Sequence, residues 1–185
     1  METSKPQGWG KDPLSSEIDL VEGNIYSAFH SQRKVFDSLV NVQEIFQKLR
    51  KPLGRLTSKE GVTFLFLSMS YGAYLGAVRL ALGGQLAPSY MVMRGCLENA
   101  LYAFRIYKNP GLFKIYADRH KGNSEKRKSR NKFNLAVIFD ELNKHCPEIG
   151  VPAKDLYDST IDLGAHPNVM AIKTNLYFDE EKREY

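Results

Sequence analysis

The chain has 185 residues, 43% hydrophobic and 25% charged, which is the makeup of one globular domain burying roughly 70% of its unfolded surface around a single core. That makeup excludes a disordered or low-complexity polymer. The two cysteines, Cys96 and Cys146, lie far apart and match no metal-ligand spacing, which also excludes a disulfide scaffold; Cys96 reads as a reduced core residue.

Residues 1–14 are polar and broken by proline and glycine, so they read as a flexible arm with Trp9 as the one side chain able to dock. Nothing in them resembles a secretory leader, and the expected location is the cytoplasm. A single domain is expected over 15–170. From Ser16 the pattern turns helical: Ile18, Val21, Ile25, Ala28, Gln32, Val35, Leu39, Val42, Phe46 and Leu49 alternate by threes and fours, and only Gln32 is polar. A continuous helix of about 33 residues at about 1.5 Å each would be a rod near 50 Å long. Gly23 is the expected bend and Lys51-Pro52 the expected end. Such a stripe exceeds what the remaining helices need to cover, so a homodimer is the expected assembly.

Residues 61–107 form the expected centre of the fold, a hairpin of two apolar helices broken at Gly83-Gly84. Residues 62–78 carry no charge, and a helix apolar all round has to sit in lipid or among other helices. The small-residue motif Gly72-Ala-Tyr-Leu-Gly76 fits either surrounding. Ser68, Ser70, Tyr71 and Tyr74 in mid-span, with Arg79 before the run is complete, favour the core of a soluble bundle over a membrane span. Thr57 to Glu60 reads as a capping box for this helix, and Pro88-Ser89 as the start of the next.

The second arm carries Arg94 and Glu98, four apart and so on one helix face, among Met91, Val92, Met93, Leu97, Leu101 and Phe104. A half-buried ion pair costs several kcal/mol in desolvation, so it serves either to fix packing or to form the polar floor of a ligand site. After a turn at 109–111 and a short helix over 112–120, residues 121–132 hold Lys121, Lys126, Arg127, Lys128, Arg130 and Lys132 against Glu125 alone. That excess of five equals the formal net charge of the whole chain, so the basic character is local. Lys126, Arg127, Lys128 and Arg130 are candidate contacts to nucleic acid or another acidic partner; a solvated loop and the first turns of the next helix is the other reading of the run. An amphipathic helix is expected over 133–145 with Phe133, Val137, Ile138 and Leu142 inward, and another from Pro152 that ends at His166-Pro167. A short strand is possible at 169–178, and 171–185 is a charged tail.

Three polar groups that a helical core would exclude, Arg94, Glu98 and His166, are expected to meet in one pocket, with Ser159 or Thr160 supplying a hydroxyl beside them. Glu98 and His166 would then be placed to act as acid and base. No phosphate loop, dinucleotide fingerprint, nucleophile elbow or metal-spaced His/Cys pair is present, so neither a cofactor nor a metal is expected.

The long first helix, the apolar second, Arg94-x-x-x-Glu98 in the third and a late helix ending in His166-Pro167-Asn168 resemble bacterial helical proteins of unknown function near the HEPN superfamily, over residues 16–170. The resemblance implies a compact, often dimeric, all-α bundle of about six helices. Several members of that superfamily are ribonucleases that depend on an Arg followed four to six residues later by a His. None of His30, His120, His145 and His166 has an Arg at that distance before it. A non-catalytic binding or assembly module is therefore the first expectation, and a nucleic-acid-acting protein with a degenerate site is the alternative.

Overall fold

The computed structural model describes residues 5–50 and 58–165, and these form an all-α bundle with no strand among them. His166, Pro167 and Asn168, the strand expected at 169–178, the tail, Lys51-Pro52 and Thr57 lie outside the described residues.

Helix α1 spans Pro13–Ser31 and α2 spans Arg33–Arg50. Asp12 caps α1 through a bond from the Ser15 amide, 2.9 Å, and Pro13 takes the first-turn position where its missing N–H costs nothing. Ahead of it, the Trp9 indole donates to Asp19 at 2.8 Å and Lys5 pairs with the same carboxylate, so residues 5–12 dock on α1. The expected single rod is interrupted at Gln32 (φ −116°, ψ 41°), the one polar residue of its apolar stripe. The interruption is one residue long, since the Gln32 N–H still reaches Ala28 and its carbonyl still accepts from Phe36. Phe29 and Phe36 meet edge to face across it, and the Arg33 guanidinium lies 4.6 Å from the Phe29 ring centre. Gly23, the expected bend, sits inside α1.

Helix α3, Ser58–Leu82, and α4, Leu86–Lys108, form the expected hairpin. Gly84 has φ +85°, a left-handed turn that favours glycine. Gly83 is needed for a different reason, because a Cβ there would sit 2.6 Å from Val21 of α1. Helix α4 starts two residues before Pro88. Only one face of α3 is covered: Phe66, Ser70, Tyr74 and Ala77 are buried at helical spacing, while Leu65 and Met69 on the opposite side are 62% and 59% exposed. Of the two small residues, Gly76 lets α4 approach, with Val92 3.4 Å from where its Cβ would be, and Gly72 faces open space. The segment Glu60–Leu82 has the length and the mean hydropathy, 1.4, of a bilayer span. Its mid-span hydroxyls are bonded to neighbouring helices, Ser70 to the Cys96 carbonyl at 2.9 Å and Tyr74 to the Leu39 carbonyl at 2.6 Å. The Cys96 thiol is buried, and burial pushes its pKa up.

Short helix α5, Leu112–Ala117, runs into a 3₁₀ turn over Asp118–His120. The basic run then lies on a helix of its own, α6 (Asn123–Lys132), separate from the helix that follows it. Phe133 ends α6, and Asn134 starts α7 (Leu135–His145) by accepting from the Ala136 amide at 2.9 Å. On α7 the buried residues are Ile138 and Phe139; Val137, expected inward, is 42% exposed. Helix α8 spans Pro147–Thr160 and starts five residues before the expected Pro152, because Pro147 occupies the first-turn position and Pro152 lies inside. A π-helical turn, Ile161–Ala165, presses on the start of α4.

Helix α4 is the hub. One side joins α3, α5 and α6 in a cluster of Phe66, Ala103, Ile106, Leu112 and Phe133. The other joins α7 and α8 in a cluster of Leu101, Ile138, Phe139 and Tyr157, and Tyr102 packs against both.

Candidate functional site

Arg94 and Glu98 do pair: Arg94 Nε donates to Glu98 Oε1 at 2.8 Å, with both side chains about one-third exposed (34% and 32%). The pair is thus neither sealed in the core nor free on the surface. It forms one wall of a cavity of about 580 Å³, within the range of small-ligand sites, between α4, the α5 region and α6.

The hydroxyl expected beside the pair comes from a residue the sequence reading missed. Tyr157 O–H donates to Glu98 Oε1 at 3.1 Å, and its ring lies 5.5 Å from the Arg94 guanidinium carbon. Thr160 is fully buried and donates to the Tyr157 carbonyl, and Ser159 donates to the Asp155 carbonyl, so neither hydroxyl serves Glu98. A phenol one turn earlier reaches farther than a hydroxymethyl group, and 157 and 160 share a face of α8. Burial, and then the Glu98 carboxylate, raise the Tyr157 pKa, so its phenol stays a donor. Arg94's own hydrogen bond to Glu98 raises its pKa and keeps it charged.

From the basic run, Lys126 and Arg130 line this cavity; they are four apart on α6, on the face that also buries Ser129 and Phe133. Arg127 and Lys128 are exposed on other faces of the same helix, and Lys128 borders a separate depression with Lys114, Asp118 and Glu125. Arg119 is a further lining cation that the sequence reading missed, having only its place between two short helices to mark it. Its guanidinium carbon lies 4.0 Å from the centre of the Tyr116 ring, and its Nε donates to His120 Nε2 at 3.0 Å. Tyr102, Tyr116 and Phe133 make the aromatic floor, packed edge to face at 5.1–5.8 Å. Burial raises the pKa of Tyr102, with the Glu98 charge as the next cause.

Four cations, Arg94, Arg119, Lys126 and Arg130, therefore converge where, among the described residues, Glu98 is the one carboxylate in the lining. A second concavity of about 360 Å³ adjoins it, sharing Arg119 and Lys126 and adding His120 and Asn123. Among the described residues, no group of three His, Cys, Asp or Glu side chains has the geometry to hold a metal ion. The arrangement suits the binding of an anion on an apolar floor. A scan against protein-family models and searches of curated proteins and of solved structures gave no match to this chain.

Proposed function

We propose that this chain is a helical binding module for a phosphate-bearing anion, held in the cavity between α4 and α6. The supporting observation is the convergence of Arg94, Arg119, Lys126 and Arg130 on one concavity from three separate elements. Gathered like charges repel one another, and a bound anion relieves that repulsion. Among the described residues Lys126 and Arg130 have no carboxylate partner, whereas Arg94 is held by Glu98. The test is fluorescence anisotropy with a labelled single-stranded oligonucleotide, with small phosphates as competitors. Affinity should fall steeply with salt, and Lys126→Ala or Arg130→Ala should each flatten the logarithmic salt slope by about one unit. Absence of salt-dependent binding by every phosphate probe at low ionic strength sinks this reading.

A second reading, a nucleic-acid-acting protein of the HEPN kind, draws support from the adjoining concavity at His120 and Asn123, which extends the cationic track past a single phosphate. Affinity that climbs with oligonucleotide length favours it; length-independent binding favours a small ligand. We also infer a homodimer through α1 and α2, supported by their exposed apolar side chains: Val35 is 52%, Ile45 57% and Leu49 46% exposed. Both cysteines are free, which fits work in the reducing cytoplasm.

A further inference from the structure

Glu98 is out of place in a site meant for a bare phosphate. A carboxylate on the wall repels the ligand that the four cations attract, and its neutralisation of Arg94 wastes one of them. Its hydrogen bonds explain what it is for. Both donors, Arg94 Nε at 2.8 Å and the Tyr157 hydroxyl at 3.1 Å, converge on the single oxygen Oε1. Among the described residues Oε2 has no hydrogen-bond partner, and the side chain is 32% exposed on the lining of the cavity. The carboxylate is therefore clamped by one oxygen, and the other, acceptor only, is left to take a donor from outside the protein. A ligand that covers Oε2 without giving it a donor strips water from a charged oxygen and leaves it unsatisfied. A ligand that places a hydroxyl there keeps the bond.

We propose that the pocket recognises a phosphate ester with a free hydroxyl beside the phosphate, the chemistry shared by a sugar phosphate and by a ribose–phosphate strand. The phosphate goes to Lys126, Arg130 and Arg119, and the hydroxyl donates to Glu98 Oε2. This rests on the phosphate-binding reading above and adds to it a second point of recognition. Sites built to hydrogen-bond a ligand hydroxyl reject the analogue lacking it more strongly than apolar pockets reject a change of size.

The experiment is calorimetric titration of the full chain with ribose 5-phosphate and with cyclohexyl phosphate, which has a ring of similar bulk but no hydroxyl, and in parallel with RNA and DNA oligomers of one sequence. The expected result is a preference of about tenfold for the hydroxylated partner, in the small pair if the ligand is a free sugar phosphate and in the strand pair if it is a polymer. Glu98→Gln should shrink that preference, read as the ratio of the two affinities within a pair, and the wild-type comparison stands even if the variant does not fold. Equal binding within every pair that binds, still sensitive to Arg130→Ala, overturns the hydroxyl inference and leaves the phosphate site standing. No binding by any of the four probes overturns both.

Discussion

The Tyr157 hydroxyl does more than close one hydrogen bond, because it shares Glu98 Oε1 with Arg94 and so fixes how the carboxylate faces the cavity. Replacing it, Tyr157→Phe, keeps the ring against Phe139 and removes only that donor. Stability by chemical denaturation should fall by about 1 kcal/mol, a discounted figure because Glu98 is partly solvated. A loss above about 3 kcal/mol would mean instead that the phenol is a core support of α8. The Arg94–Glu98 pair was readable in the sequence, since four-residue spacing on a helix forces the two side chains onto one face. Tyr157 and Arg119 were not, because the first meets Glu98 and the second enters the lining of the cavity only through the tertiary packing of separate helices. The place of His166 relative to Glu98 lies outside the described residues.

At the scale of elements, one of the tight fits against backbone is at Gly164, where the π-helical turn meets α4. A Cβ there would lie 2.5 Å from both the Ala87 carbonyl oxygen and the Tyr90 Cβ, and the backbone oxygen cannot rotate away as a side chain would. Gly164→Ala should therefore cost about 1–3 kcal/mol, as overpacking does, and lower the midpoint of thermal unfolding. Gly72→Ala is the control, since nothing lies within 4 Å of the added methyl, and it should leave the midpoint unchanged or slightly raised. An unchanged midpoint for Gly164→Ala would show that the turn can back away. Helix type and most helix positions followed from apolar periodicity, which depends only on local sequence. The ends that escaped were set by local chemistry that competes with it. Asn134 caps a new helix one residue inside the expected start at Phe133, and Pro147 starts α8 ahead of the expected Pro152. The split of the cations between Lys126 and Arg130 on one side and Arg127 and Lys128 on the others could be seen only once the run was known to be helical.

Across the whole molecule, the exposed apolar side chains of α1 and α2 carry the assembly expectation. Val35→Asp with Leu39→Asp should turn a wild-type dimer into monomer in sedimentation velocity, and a wild-type monomer at tens of micromolar would remove the interface. Tyr102 has a different reach. It lines the cavity and packs against both hydrophobic clusters, one built on α3, α5 and α6 and the other on α7 and α8. An occupant resting on that ring restrains a side chain common to both halves, so protection of backbone amides should rise on either side of α4 and not only beside the ligand. Deuterium uptake by α3 and by α7, distant in sequence and joined through α4, should slow together as the cavity fills; slowing confined to α6 would show that the two halves breathe independently.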